Sequence, residues 1–298
     1  MSRSDRAREA RAGWLFLAPA LGLILAFFVL PVIAGFVLSM TDFDLYAIGD
    51  PSLARFVGVR NYVQILHDSE FWNALRITFL YVLIGGPLSV IASLGAALLL
   101  SSRLARWKGL FRVVYFLPVV TTLVAVAIVW RYLYHPRYGL VNWWLAHLGI
   151  HGPDWLGDPH FALLGIILMA VWKNFGYNML IFVAGLESIP AEYYEAAAID
   201  GASAWERFRY ITLPSLAPTF LFVGVITMVA QFQIFAEPYV MTQGGPLRST
   251  VSIVLLMYEQ GFRWWRMGLA TALAFILFLI MLVGTLIQMR LQRQRESS

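Results

Sequence analysis

Residues 161–186 read FALLGIILMAVWKNFGYNMLIFVAGL, and Lys173 is the one charged residue among them. A helix needs about 20 predominantly apolar residues to cross the hydrocarbon core of a bilayer, and this stretch supplies them. A charge at the centre of such a helix costs roughly 2.5–3.5 kcal/mol on insertion scales, so it usually faces a cavity or a partner helix. The stretch therefore predicts a membrane helix with one polar face.

The rest of the chain repeats this pattern. Five further stretches are long and apolar enough to span, and they are residues 14–38, 74–100, 113–134, 216–239 and 267–289. Hydrophobic residues make up 60% of the 298 residues and charged residues 13%, whereas soluble domains have roughly 45–50% and ~25%. The sequence predicts an all-α integral membrane protein with six transmembrane helices. The first stretch exceeds the ~7–15 residues of a signal-peptide core, so we expect it to be a retained span.

The distribution of Lys and Arg predicts the orientation. Thirteen of these 22 residues fall in the segments on the side of the termini, and eight fall on the opposite side. Because positive charge accumulates in short cytoplasmic segments, both termini are predicted to be cytoplasmic. Residues 1–13 and 290–298 are then cytoplasmic tails of a six-span domain, residues 14–289, whose one substantial cytoplasmic connection is the loop 187–215. No basic face is interleaved with stacking aromatics, so no nucleic-acid partner is expected.

The sequence contains none of the common catalytic or nucleotide-binding motifs that we searched for. The two lysines, Lys108 and Lys173, are followed by Gly109 and Asn174, so neither belongs to a phosphate-binding loop. There is no Gly-x-Ser-x-Gly elbow, no His-Glu-x-x-His pair and no cysteine. The five histidines all fall in the outer loops, where solvated side chains are expected. We therefore expect neither an enzyme, nor a metal site, nor a cofactor in this chain.

The cytoplasmic loop 187–215 carries a dense set of helix signals. Pro190 suits a first helical turn, residues 191–199 are good helix formers, and Gly201 can adopt the positive φ that ends a helix. The segment Ser203-Ala204-Trp205-Glu206 is a capping box that starts a second short helix. This second helix is expected to end before Leu213-Pro214, where the fifth span begins.

The same loop contains a set of residues at a characteristic spacing, namely Glu195, Ala196, Ala197, Gly201, Ile211, Leu213 and Pro214, with Asp200 directly before the glycine. This pattern resembles the cytoplasmic loop of permease subunits of bacterial ATP-binding-cassette (ABC) importers. In that family the loop forms a coupling helix that seats in a groove of the ATPase subunit. The resemblance implies a type I importer permease fold and an ATPase-coupling role for these eight residues.

Motifs outside the loop are similar to those of the first, larger-subunit-like permease of maltose-type carbohydrate importers. They include Phe56-Val57-Gly58 with Asn61-Tyr62, Gly139 with Asn142, and Gly244-Gly245-Pro246. The resemblance implies a multi-pass subunit of the bacterial cytoplasmic (inner) membrane that passes a di- or oligosaccharide or a glycerol-phosphate-type solute. Its partners would be a second permease, an extracytoplasmic solute-binding protein and two cytoplasmic ATP-binding subunits, which would hold the MgATP.

Two alternatives remain open at this point. The coupling motif is shared across substrates, so the solute could be an amino acid, a phosphate or a metal. An ion-coupled secondary transporter would instead show inverted repeats and ionisable groups at the midplane, and we find no clear repeat and no mid-span Asp or Glu.

Polar residues within the spans are the candidates for the solute pathway. They are Trp172, Asn174, Tyr177 and Asn178 in the fourth span, and Gln231, Gln233, Phe235 and Glu237 in the fifth. Spacings of three and four place Asn174, Tyr177 and Asn178 on one helix face, and a ring beside amides suits a sugar. The alternative is that the amides bond across helices as structural glue, which is equally plausible for Asn178 and Gln233. Lys173 is read as structural, and Glu237 as a solvated helix cap or a contact to substrate or binding protein.

Helix breakers mark one further candidate. Pro19 and Pro31 predict simple kinks, because proline removes a backbone donor. Gly85-Gly86-Pro87 lies in the middle of the second span, where three breakers together predict a bend or a broken helix. Such interruptions often line transport sites in membrane proteins.

Overall fold

The computed structural model describes residues 3–102 and 107–296. Of the basic residues used for orientation, Arg103 and Arg106 lie outside these ranges, as do parts of the two predicted tails. In chain order the helices are α1 (Arg3–Ile24, continued by Leu25–Val29 and Leu30–Ser39), α2 (Leu45–Gly49), α3 (Arg60–His67), α4 (Ser69–Ser101), α5 (Lys108–Val120), α6 (Leu123–Leu133), α7 (Leu140–His147), α8 (Ala162–Glu187), α9 (Ala191–Ile199), α10 (Ala204–Arg207, continued by Phe208–Thr212 and Leu213–Ser215), α11 (Ala217–Phe232), α12 (Ala236–Met241), α13 (Ile253–Tyr258, continued by Glu259–Arg263) and α14 (Met267–Glu296).

Four described helices are individually long and apolar enough to cross a membrane. They are Gly13–Ser39, Ser69–Ser101, Ala162–Glu187 and Met267–Arg290. In two further cases, a pair of consecutive helices is long and apolar enough only when the two helices are counted together. The two helices of each pair are sharply bent relative to each other, by 98° between α5 and α6 and by 64° between α10 and α11. The described chain thus holds four candidate spans, or up to six if each bent pair counts as one.

The helix break lies at a different place from the one that the glycines and Pro87 predict. α4 runs for 33 residues through Gly85, Gly86 and Pro87 without interruption. One proline removes a single donor, and neighbouring helices hold α4 in place, as the 2.9 Å hydrogen bond from Ser93 Oγ to the carbonyl of Phe175 on α8 shows. The sharp bend falls instead in the predicted third span, at Thr121 and Thr122 between α5 and α6.

Two prolines follow wide, π-helical turns. In α1 the turn Leu25–Val29 precedes Pro31, and in α10 the turn Phe208–Thr212 precedes Pro214. A proline cannot donate to the carbonyl four residues before it, and a wide turn accommodates that lost bond without ending the helix. The second predicted helix of the cytoplasmic loop therefore does not end before Leu213-Pro214, but continues to Ser215.

The described chain divides into two compact units. The smaller unit consists of Met1–His67 and Met257–Ile276, and the larger of Asp68–Leu256 and Leu277–Ser298. In the smaller unit, Asn61 Nδ2 donates to the carbonyls of Ser39 and Thr41, both at 2.8 Å. The Asn61-Tyr62 motif thus caps the end of α1, where Tyr62 Oη also lies 2.7 Å from Ser39 Oγ.

The core of the larger unit is organised along α8. Towards one end of α8, Ile166, Met169 and Ala170 pack in a buried cluster that includes Tyr81 of α4 and Ala127 of α6. Towards the other end, Met179, Phe182 and Val183 pack in a second cluster with Ala97 of α4 and Val223 of α11. Membrane helices associate mainly through close packing and hydrogen bonds, so α8 holds its neighbours at fixed distances.

Glycine on α8 permits the closest of these approaches. A Cβ atom at Gly176 would collide with the backbone carbonyl of Tyr115 on α5. Because α5 lies directly against α8 at this point, the C-terminal end of α5 reaches the polar face of α8. This contact positions the broken helix beside the site described next.

Candidate functional site

A cavity of about 460 Å³ lies within the larger unit, enclosed by α4, α8, α11 and the start of α12. Its polar lining consists of Tyr81, Ser89, Asn174, Tyr177, Asn178, Thr227, Gln231 and Glu237. Its apolar lining consists of Val119, Ile167, Ala170, Val171, Ile226, Ala230 and Ile234. Gly85 also lines the cavity. The volume falls in the range of 300–1,000 Å³ typical of small-molecule sites.

The polar face of α8 forms one wall of this cavity. Asn174, Tyr177 and Asn178 all line it, as their helical spacing predicts. Asn174 and Tyr177 are exposed, whereas Asn178 is only 5% exposed and its Nδ2 donates to Thr227 Oγ1 on α11 at 2.9 Å. Asn178 therefore joins two walls of the cavity by a hydrogen bond across helices.

Gln231 supplies an unpaired acceptor to the cavity wall. Its Oε1 atom is enclosed and accepts no hydrogen bond from any residue that the structure describes. The amide lies against Gly85 and Gly86, 3.4 Å from the positions that Cβ atoms would occupy there, so it packs directly on this part of α4. A buried acceptor without a donor costs about 1–3 kcal/mol, so the wall carries an unsatisfied polar atom beside the cavity.

Lys173 caps the broken helix at the edge of the cavity. Its Nζ atom lies 3.4 Å from the carbonyl oxygens of both Pro118 and Val119, at the C-terminal end of α5. The last carbonyls of a helix lack intrahelical donors and carry partial negative charge, so a buried ammonium satisfies them well. Lys173 is 7% exposed, and it also interacts electrostatically with Glu237.

Three of the sequence candidates lie elsewhere. The Trp172 ring packs on Trp130 with centroids 5.5 Å apart, and Phe235 stacks on Tyr239 at 5.3 Å. Gln233 ends α11 as an exposed residue, with Nε2 3.8 Å from Met281 Sδ. Two residues advance a helix by about 200°, so Gln231 and Gln233 leave α11 on opposite faces and only Gln231 reaches the cavity.

On the α4 wall, Gly85 belongs to the Gly85-Gly86-Pro87 candidate of the sequence, whereas Tyr81 and Ser89 were not anticipated. Tyr81, Gly85 and Ser89 line the cavity and recur at intervals of four, which places them on one face of α4. The i, i+4, i+8 pattern of small and polar residues could have indicated a cavity wall. It does not identify one on its own, because the same pattern is found where membrane helices pack closely.

The loop 187–215 forms a separate structural feature. α9 begins at Ala191 with Pro190 as its N-cap, and it ends in a Schellman motif, in which the Gly201 N–H donates to Ala198 and the Ala202 N–H to Ala197. Gly201 has φ +77°, the left-handed conformation that the sequence predicts. Glu195, Ala196, Asp200 and Gly201 are exposed, whereas Ala197 is half-buried.

The capping box of α10 is also present. The Ser203 N–H donates to Glu206 Oε2 at 2.7 Å, and the Glu206 N–H donates to Ser203 Oγ at 3.3 Å. Hydrogen bonding from Ser203 holds the pKa of the Glu206 carboxyl below its usual value. Of the remaining motif residues, Ile211 and Leu213 are half-buried and Pro214 is exposed, so the Ile-x-Leu-Pro segment contributes mainly to the bend before α11.

Over residues 85–297 the chain matches the family of binding-protein-dependent transport system inner membrane components. The chain belongs to this family. The matched range contains the whole loop and every cavity residue except Tyr81, and the resemblance to ABC importer permeases is thereby confirmed. As a family member, the protein is a component of the inner membrane.

Relatives of this inner membrane component match over nearly their full lengths. The chain is 35% identical to the trehalose/maltose transport system permease protein of Thermococcus litoralis, with 97% of this chain and 96% of that protein covered. It is also 35% identical to the lactose transport system permease protein of Rhizobium radiobacter, with 95% of each covered.

A solved structure shows the fold. One chain of a bacterial alginate ABC transporter, crystallised in complex with an alginate pentasaccharide-bound periplasmic protein, matches with a TM-score of 0.80 at 21% identity. The match covers 97% of this chain and 96% of that one. The transport component therefore has the helical fold of a type I ABC permease.

Proposed function

We propose that this inner membrane component is one of two permease subunits of an ATP-driven importer for a carbohydrate, and that the solute passes through the cavity between α4, α8 and α11. The observation that carries the proposal is the lining of that cavity, where amides and an aromatic ring converge on a space of about 460 Å³. Amides bind hydroxyl groups, and the Tyr177 ring offers a face for the C–H side of a sugar. The relatives named for trehalose, maltose and lactose support the same solute class.

The charges of the lining favour uncharged sugars. The described lining residues include one carboxylate, Glu237, and no Lys or Arg, while the Lys173 ammonium is engaged with two backbone carbonyls. A free phosphate or carboxylate group on the solute would therefore meet no dedicated cation. Because the described lining offers no cation for an anionic group, we propose neutral di- or oligosaccharides as the solute in preference to glycerol-phosphate-type solutes.

In the membrane, each bent helix pair would count as one of six spans, with both termini in the cytoplasm. The loop around Glu195 and Gly201 would then face the cytoplasm, where its exposed residues meet an ATPase subunit. The motif residues Ala196, Ala197 and Asp200 belong to that docking helix, and Ile211, Leu213 and Pro214 connect it to the span of α11.

The assembly would contain a second permease, two cytoplasmic ATPases and an extracytoplasmic binding protein that delivers the sugar. MgATP would be bound by the ATPases, and this chain would need no cofactor of its own. Closure of the ATPases on ATP would displace the coupling loop as a lever and turn the spans from inward-open to outward-open.

The test is reconstitution of the assembly in proteoliposomes. The chain is co-expressed with its candidate second permease, ATPase and binding protein, and ATP hydrolysis and uptake are measured for trehalose, maltose, lactose and glycerol 3-phosphate. We expect a neutral sugar to stimulate both ATP hydrolysis and uptake, and a Walker-lysine variant of the ATPase to abolish both. Failure of the chain to co-purify with any ATPase, or uptake that survives the ATPase variant, would refute the proposal.

A further inference from the structure

One side-chain hydrogen bond joins the two helices of the cytoplasmic loop. Tyr194 Oη of α9 lies 2.9 Å from Thr212 Oγ1 of α10, although the residues are 18 positions apart. Most of the loop is exposed, but Thr212 is 5% exposed and Tyr194 is half-buried. The bond therefore lies on the inner side of the loop, away from the exposed Glu195 and Gly201.

Thr212 occupies the point at which α10 is deformed. It ends the wide turn Phe208–Thr212, and its Oγ1 also lies 3.4 Å from the Arg207 carbonyl oxygen, at the start of that turn. Four residues later the chain bends by 64° at Leu216 and enters α11. α11 carries Thr227 and Gln231 into the cavity wall, so Thr212 lies on the direct path from the loop to the candidate solute site.

Without this bond, α9 would be tied to α10 mainly through the short turn that contains Gly201. A glycine at φ +77° marks a turn in which rotation is easy, because glycine has the widest range of backbone conformations. A tilt imposed on α9 would then be absorbed in the turn instead of reaching α10.

We propose that Tyr194 and Thr212 form a brace that makes α9 and α10 move as one lever, so that a displacement of the exposed face of α9 reaches the bend at Leu216 and the cavity wall. Tyr194 is a positioning residue in this scheme, since its hydroxyl lies on the inner side of the loop, against Thr212. The inference rests on the proposed coupling function of the loop, and it adds the contact through which coupling is transmitted.

The experiment removes the bond from each side in the complete reconstituted transporter. Tyr194→Phe removes only the hydroxyl, Thr212→Val is nearly isosteric, and Thr212→Ser keeps the hydroxyl. Tyr210→Phe is the matched control, because Tyr210 is a tyrosine of α10 whose side chain is 71% exposed. The readout is the number of ATP molecules hydrolysed per sugar taken up, together with the amount of ATPase that co-purifies.

We expect Tyr194→Phe and Thr212→Val each to raise the ATP consumed per sugar by about 2- to 10-fold, the equilibrium effect of one neutral hydrogen bond, with normal ATPase co-purification. The double variant should be no worse than the more affected single variant, because both changes delete the same interaction. Thr212→Ser and Tyr210→Phe should keep the wild-type ratio.

A working wild-type transporter whose Tyr194→Phe variant keeps the wild-type ratio would overturn the brace while leaving the proposed function intact. Strictly additive effects of the two changes would overturn it as well. An inactive wild-type assembly would count against the proposed function instead, so the two failures can be told apart. If Thr212→Val fails to insert, Tyr194→Phe alone still decides, because it leaves the buried threonine in place.

Discussion

The loop 187–215 and the cavity are built in opposite ways. The loop is a continuous segment whose helices begin and end through short-range bonds, such as those of Gly201 to Ala198 and of Ser203 to Glu206. The cavity joins residues from Tyr81 to Glu237, which come from separate helices and meet only because α8 holds its neighbours in place. The comparison teaches that the proposed contact surface for a partner is encoded locally, whereas the proposed contact surface for a solute depends on packing across the fold.

The most severe change is expected in the loop, at Gly201. Gly201→Asp places a side chain and a charge on the exposed coupling surface, and we expect uptake to fall by more than about tenfold while the protein still inserts, because the added group blocks the close approach of the partner. The left-handed backbone adds strain of about 1–3 kcal/mol. Glu195→Lys, which reverses the charge, should also lower sugar uptake while the protein still inserts, because it too uncouples ATP hydrolysis from uptake. Uptake and ATP hydrolysis in proteoliposomes measure both variants.

Gly149 provides a matched control for that prediction. Like Gly201, it ends a short helix with positive φ, at +75°, and a Cβ atom there would meet nothing within 4 Å. Gly149→Asp therefore imposes the same backbone strain outside the coupling loop, and it should retain ATPase co-purification and a normal ATP-to-sugar ratio. Equal uncoupling by both substitutions would show that strain alone, and not docking, explains the result at Gly201.

The second largest effect is expected at the edge of the cavity, at Lys173. Lys173→Met leaves the carbonyls of Pro118 and Val119 without their donor, which costs about 1–3 kcal/mol for each buried group left unsatisfied. We expect a lower thermal midpoint in detergent and a loss of uptake, with partial recovery in Lys173→Arg. Lys108→Met, at the exposed start of α5, should change neither quantity. A stable and active Lys173→Met variant would contradict the capping role.

A smaller effect is expected for Gln231 in the cavity lining. Gln231→Leu removes an amide from that lining, and the apparent KM for sugar should rise by about 5- to 10-fold, the range of one hydrogen bond between an amide and a solute hydroxyl. Gln233→Leu, two residues further on but outside the cavity, should leave KM unchanged. If both substitutions shift KM equally, the solute does not use this wall of the cavity.

The smallest effect is expected for the capping box. Ser203→Ala removes an N-cap, which contributes about 0.5–2 kcal/mol to a helix, but the brace and the Schellman turn remain. We expect no more than about a twofold change in the ATP-to-sugar ratio, and none in Ser203→Thr, which keeps the hydroxyl. A Ser203→Ala defect as large as that of Gly201→Asp would mean that the start of α10, and not the docking surface, limits coupling.

The difference between the two regions also explains which features the sequence could predict. The Gly201 turn and the box from Ser203 to Glu206 follow from residue types at fixed short spacings, and both are present. The break at Thr121 could not be read in this way, because Lys173, which donates to the last carbonyls before the break, comes from a different helix. α4 in turn continues through Pro87 without interruption, because the proline removes only a single donor.

Within the cavity the same limit applies to individual side chains. The α8 face of Asn174, Tyr177 and Asn178 was predictable, since one helix carries all three. Gln231 lines the cavity and Gln233 does not, because the two side chains leave α11 on opposite faces. The contribution of Ser89 requires knowing which face of α4 meets α8. The outer motif at Asn142 resembles the loop in that its hydrogen bond is short-range. Asn142 Oδ1 accepts a hydrogen bond from Trp155 Nε1 at 2.7 Å, and this bond stabilises the connection between α6 and α8.

The broken helix beside the cavity has a consequence for the electrical insulation of the membrane. An exposed helix C-terminus carries about half a negative charge, and together with Glu237 it would make the translocation path attractive to protons and metal cations. The Lys173 ammonium offsets part of that charge, so small cations gain less by entering the proposed solute path. An importer of this design can open a polar path through the inner membrane without discharging the ion gradients on which the cell depends.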